Sequence, residues 1–146
     1  MRALVAGLAL VALAACGGDP SPATPGNSVT GTWTLKTYNG KPLPFTGSVN
    51  DNGSYDRVDS GTIGFDGKAT YVLGIKITNT LGSTVTPQNY NEIGSYTGTA
   101  ATGLTLKPND LSGGKDTKGS YSTVPVTVTN NTLSFSQEGK ALTFTR

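Results

Sequence analysis

The sequence predicts an all-β domain whose strands follow one another as an eight-stranded antiparallel up-and-down (meander) barrel. Three observations carry this expectation. Apolar residues recur at every second position through most of the chain, the period of a strand with one buried face. Several connectors between these segments are two residues long, which permits hairpins and forbids parallel crossovers. The composition, with 23 Thr and 20 Gly and very little Glu or Ala beyond residue 24, is that of strands and turns. No stretch of about ten residues carries a helical apolar period.

The elements can be taken in chain order. Met1 and Arg2 give a short positive start, residues 3–12 form an apolar run shorter than a bilayer span, and Leu13-Ala14-Ala15-Cys16 follows at once. Residues 1–15 therefore read as a signal peptide, with Ala14 and Ala15 small enough for a peptidase pocket. Leu13 to Cys16 resemble the bacterial lipobox. That resemblance implies cleavage before Cys16, a diacylglyceryl thioether on its sulfur, and acylation of the new amino terminus. The protein would then be a lipoprotein of the cell envelope, its membrane partner reached through Cys16, where two or three acyl chains anchor firmly. In a Gram-negative cell the outer membrane is implied, on its periplasmic or surface face, since Asp19 stands too far from Cys16 to favour inner-membrane retention. An ordinary signal peptide with an incidental Cys is the alternative. Residues 16–30 are the lipidated Cys and its tether: after Cys16, residues 17–30 hold three Pro among Gly and Ser and no apolar period, so they reach roughly 46 Å at ~3.3 Å per residue.

Residues 31–146 form the domain. The clearest strand is 68–78, where Ala69, Tyr71, Leu73, Ile75 and Ile77 occupy alternate places. Shorter versions of the pattern mark Gly31–Tyr38 with Trp33 and Leu35, 59–65 with Ile63 and Phe65, 92–99 around Tyr96, and 102–107 with Leu104 and Leu106. Three more follow in 119–129 with Val124, Val126 and Val128, Thr132–Gln137 with Leu133 and Phe135, and 140–146 with Leu142 and Phe144. Asp66-Gly67, Asn130-Asn131 and Glu138-Gly139 supply hairpin turns. Longer loops are expected at 39–57, 79–91 and 108–118. A meander of eight strands with one apolar face closes most simply into a barrel, which removes the exposed edges.

Gly31-Thr32-Trp33 at the start of the first strand resembles the lipocalin signature. The string continues through Thr34-Leu35, Asn39-Gly40-Lys41-Pro42-Leu43-Pro44 and the Gly-x-Ile-x-Phe-x-Gly pattern of 61–67. Together with Gly94-Ser95-Tyr96-Thr97 and the closing Leu142-Thr143-Phe144-Thr145-Arg146, it is similar to the lipocalin-like domain of bacterial lipoproteins over about residues 29–146. The resemblance implies that Trp33 closes one end of the barrel and that Arg146 stacks on its indole as a cation–π contact. A solvated, frayed Arg146 is the alternative.

Composition narrows the chemistry. The chain carries 11 Lys+Arg against 9 Asp+Glu and no His, and only 14% of its residues are charged. No clustered basic stripe accompanies the aromatics, so nucleic acid is not expected as a partner. Without His the commonest general base and transition-metal ligand is missing. The carboxylates, Glu92 among them, are scattered mainly through expected turns, and Gly113-Gly114-Lys115 has no following helix to make a phosphate cradle. The run 50–56 is a poor calcium loop, since Gly61 stands where the twelfth-position Glu belongs. No catalytic residue, metal or cofactor is implied, and the chain is not expected to be an enzyme.

Eight strands enclose either a filled interior or room for one small ligand. The leading expectation is a binding module for a small apolar molecule or lipid, with Tyr71 and Tyr96 as the polar residues lining it. The alternative is a filled barrel acting through its loops on another envelope protein, as an inhibitor or interaction module, with the apolar loop 42–45 as the contact.

Overall fold

The computed structural model describes residues 28–112 and 122–146. The expected signal peptide, Cys16, most of the tether and part of the 108–118 loop lie outside these residues. The eight barrel strands are β1 (Gly31–Tyr38), β4 (Ser54–Phe65), β5 (Thr70–Leu81), β6 (Thr84–Thr99), β7 (Gly103–Ser112), β8 (Val124–Thr129), β9 (Thr132–Gln137) and β10 (Lys140–Thr145). Two short strands, β2 (Lys41–Pro42) and β3 (Phe45–Thr46), pair with β1 and β4. Successive strands are antiparallel neighbours, and the sheet closes where β1 pairs with β4 as well as β10. There is no helix among the described residues.

The alternation places Trp33, Leu35, Ile63, Leu73, Leu106, Leu133, Leu142 and Phe144 inside. Thr32, Thr34, Lys36, Thr62 and Lys76 face outward and are exposed. This is the reverse of a lipid-facing barrel, whose apolar band points outward. Phe135 and Phe144 stack across β9 and β10 with centroids 5.6 Å apart, and Phe65 meets Tyr96 edge-on at 5.0 Å.

Several expected boundaries differ from those observed. β4 runs back to Ser54, where the sequence suggests a start at Asp59. The cause is a bulge: the register with β5 slips between Val58 and Ser60, so the buried positions change from Ser54 and Val58 to Gly61, Ile63 and Phe65. A parity break in mid-strand looks like an end. Most of 79–91, expected as a loop, is a β5–β6 hairpin that pairs without interruption from Leu81↔Thr84 to Leu73↔Glu92. Its side chains project beyond the barrel and are largely exposed, so backbone pairing there leaves no hydrophobic period to read.

Ala69 is not the first inward residue of β5. It is an exposed turn residue at φ 69°, in a four-residue connector with Gly67 at φ 73°. Asp66 holds this turn, its Oδ1 accepting from the backbone N–H of Lys68 at 2.7 Å and of Thr70 at 2.9 Å. β8 starts at Val124, later than the expected 119, and β7 extends through Ser112.

Candidate functional site

The two ends of the barrel differ. At one end Trp33 is fully buried, and its Nε1 donates to the carbonyl of Val29 at 2.9 Å. The Arg146 guanidinium lies 4.5 Å from the indole centroid, and its Nη1 donates to the carbonyl of Thr30 at 3.2 Å. Tyr96 belongs to this end through Phe65, and its backbone N–H is bound by the carbonyl of Ala69 at 2.9 Å.

The opposite end holds a cavity of about 180 Å³. Its apolar walls are Leu73, Ile75 and Ile77 of β5 and Leu142 of β10. Tyr38 and Tyr90 add aromatic surface, while Gln137, Glu138 and Lys140 from the β9–β10 turn stand at its rim. That turn is tight because Glu138 and Gly139 both take positive φ, 50° and 74°, between the paired residues Gln137 and Lys140.

Beside the cavity lies a buried carboxylate. Glu92 is 1% exposed, on the inward face of β6 directly opposite Leu73. Three donors converge on it. Tyr71 donates to Oε1 at 2.5 Å, while Tyr90 and Gln137 donate to Oε2 at 2.8 and 2.6 Å. An ionised carboxylate has about four acceptor sites, so the cluster nearly saturates it. The bond from Gln137 crosses the barrel lumen, since β7 and β8 separate β9 from β6 in the sheet. Burial, and then the hydrogen bond and charge of Glu92, raise the Tyr71 hydroxyl above the ordinary tyrosine range, which keeps it a donor. Tyr38 is also raised, first by burial and then by the negative charges of Glu138 and Asp56.

Tyr71 is 1% exposed and its hydroxyl is committed to Glu92, while Tyr96 packs against Phe65. The tyrosines that line the cavity are Tyr38 and Tyr90. Glu92 is a correction to the reading of the carboxylates as turn residues. The signal was present: Tyr90, Glu92, Gly94 and Tyr96 share one parity in a strand whose Tyr96 faces inward, and a charge on an inward face needs partners. In 42–45, Leu43 and Phe45 are half-buried against the core, Phe45 lying 5.4 Å from the Tyr38 ring, with Pro42 and Pro44 outward. The 50–54 stretch is tied up internally, Asn52 Oδ1 accepting from both the N–H and the hydroxyl of Ser54. Among the described residues no three potential metal ligands cluster.

Fold and site together define an eight-stranded closed barrel, capped by an indole at one end and carrying an apolar cavity over a buried carboxylate at the other. No protein-family model matches the chain, and no curated protein or solved structure matches it either.

Proposed function

We propose that the protein is a lipocalin-like binding module of the bacterial envelope, anchored through a lipid on Cys16, which takes a small and largely apolar ligand at the end of the barrel opposite Trp33. It acts by binding and not by catalysis. One observation carries the reading: the cavity between Ile75, Ile77, Leu142 and the Tyr38 and Tyr90 rings combines apolar walls with a few convergent polar groups, the usual make-up of a ligand site. Its size sets the ligand. A cavity on the order of 150 Å³ lined by aliphatic side chains can hold benzene, so about 180 Å³ suits a single ring or a short chain end. The lipobox-like Leu13-Ala14-Ala15-Cys16 supports the anchor, and the meander order with Gly31-Thr32-Trp33 at its start supports the lipocalin-like assignment.

Thermal unfolding with and without a saturating single-ring ligand tests this. Toluene at about 100 times its Kd should stabilise the wild-type chain by roughly 2.7 kcal/mol. Ile77→Trp, which fills the cavity from β5, should abolish the shift. A melting temperature indifferent to toluene, or a shift that survives Ile77→Trp, contradicts the proposal.

A further inference from the structure

The cavity has a neighbour. Tyr38, Ile77 and Lys140 line both it and a groove of about 330 Å³, so the two spaces adjoin along these three side chains. The groove lies where the end of β1, the 47–50 stretch and the start of β4 come together. Its character differs: the cavity is mainly apolar, whereas polar and apolar surface wall the groove in about equal measure.

Backbone hydrogen bonds hold the groove in shape. The Gly47 N–H donates to the carbonyl of Asp56 at 2.8 Å and the Asn50 N–H to the carbonyl of Ser54 at 2.7 Å, which clamps the 47–50 stretch to β4 at both ends. Asn39 is fixed as well, its N–H donating to the carbonyl of Ala141 at 2.7 Å while its Oδ1 accepts from the Ala141 N–H at 3.0 Å. A ligand entering such a groove has little chain to order.

The bonds made among the described residues define what the walls still offer. Asp56 accepts from Asn79 Nδ2 through Oδ1 at 2.8 Å, which leaves Oδ2 as an acceptor. Asn50 gives its Nδ2 to Ser54 Oγ at 3.0 Å and keeps Oδ1 as an acceptor. Asn39, with Oδ1 occupied, keeps Nδ2 as a donor, and the Ser48 hydroxyl and Lys140 ammonium add to it. Donors and acceptors therefore line the same groove. A carboxylate calls for donors and an ammonium for acceptors, but a hydroxyl gives one proton and accepts through two lone pairs, so it uses both kinds.

The apolar share of the groove includes the Tyr38 and Phe45 rings, whose centroids are 5.4 Å apart. Flat aromatic faces suit the CH side of a sugar ring, whose hydroxyls then point at the polar wall. Size agrees. At about 330 Å³ the groove has roughly twice the room that holds a benzene, and a pyranose has about twice benzene's heavy atoms.

We propose that cavity and groove form one bipartite site for an uncharged amphiphile, with an aromatic ring or short chain end in the cavity and a single pyranose in the groove. This rests on the binding-module reading above and extends it, the small apolar ligand being one end of a glycoside.

The test is a calorimetric titration of the full chain with anisole, phenyl β-D-glucopyranoside, phenyl β-D-galactopyranoside and phenylalanine. All four carry the same phenyl ring, and the glycosides differ from anisole in bearing a sugar on the ether oxygen. At least one glycoside should bind tenfold or more tightly than anisole. Asp56→Ala should cut that advantage at least threefold while leaving anisole binding unchanged, and Ser48→Ala, an exposed substitution, serves the same purpose if Asp56→Ala fails to fold. Glycosides that bind no tighter than anisole overturn the groove as a sugar subsite and leave the apolar binding module standing. Phenylalanine binding more tightly than both glycosides overturns the uncharged head in favour of a charged one. An advantage undiminished in both folded variants overturns the groove as its source, and failure of all four probes to bind overturns both readings.

Discussion

Gly94 lies directly opposite Tyr71 in the β5–β6 ladder, and the phenol ring occupies the space where a side chain at 94 would be. A Cβ there would stand 2.5 Å from Tyr71 Cε1 and would also collide with the backbone carbonyl of Lys107. The missing side chain lets Tyr71 lie across β6 and place its hydroxyl on Glu92, two residues earlier in the same strand.

Gly94→Ala should therefore act as an overpacking mutation. The Lys107 carbonyl belongs to the β7 backbone and cannot rotate aside, so the cost should be about 1–3 kcal/mol. Urea unfolding measures it. A Gly94→Ala chain as stable as wild type would mean that the Tyr71 ring does not rest on β6.

Trp33 should be a stability residue remote from the ligand. Its indole is fully buried, hydrogen-bonded to Val29 and covered by Arg146. Trp33→Ala should cost ~3–5 kcal/mol, as large aromatic truncations in packed cores do. Wild-type fluorescence should be blue-shifted and resistant to iodide. A red-shifted, freely quenched indole whose loss leaves the melting temperature unchanged would remove the capped end from the account.

The connector from β4 to β5 carries two opposite predictions. Ala69 sits at φ 69°, where its Cβ is disfavoured by roughly 1–2 kcal/mol, so Ala69→Gly should raise the melting temperature. Asp66 is held below the usual carboxylate range by the N–H groups of Thr70 and Lys68. A folded-state pKa below the unfolded one stabilises fully above the unfolded value, about 3.9, and the benefit is lost as pH falls through the folded value. The melting temperature of wild type should fall on acidification through that window. Asp66→Asn, which keeps an acceptor and cannot titrate, should show a shallower fall, and identical pH profiles would contradict the role given to Asp66.

The anchor is tested by metabolic labelling. Wild-type chain should incorporate palmitate and partition into detergent, whereas Cys16→Ser should take no label and stay soluble or accumulate unprocessed. Wild-type protein released without acyl mass would contradict lipidation.

The barrel was legible in the sequence because its two faces differ wherever strands wrap the core: Leu73 and Ile75 alternate with Val72, Gly74 and Lys76, and Leu142 and Phe144 with Ala141 and Thr143. Legibility failed where that difference vanished. Beyond the barrel mouth both faces of the β5–β6 hairpin meet water, so Thr84 to Asn89 look like loop while pairing as strand. At the Asp59 bulge the parity reverses, and Ala69 continues an apolar pattern into a turn. The site was harder to see because its parts are far apart in the chain: Gln137 reaches Glu92 across the lumen, and only closure of the sheet brings them together. What the strand pattern alone could show was the inward parity of Glu92.

The most direct measurement of the binding claim is a set of intermolecular nuclear Overhauser contacts between a bound single-ring ligand and the methyl groups of the full chain. The account predicts contacts to Ile75, Ile77 and Leu142, the aliphatic walls of the cavity, and none to Val72 or Ile93, which are exposed on the outside of β5 and β6. Contacts confined to Val72 and Ile93 would place the ligand on the outer surface and contradict it.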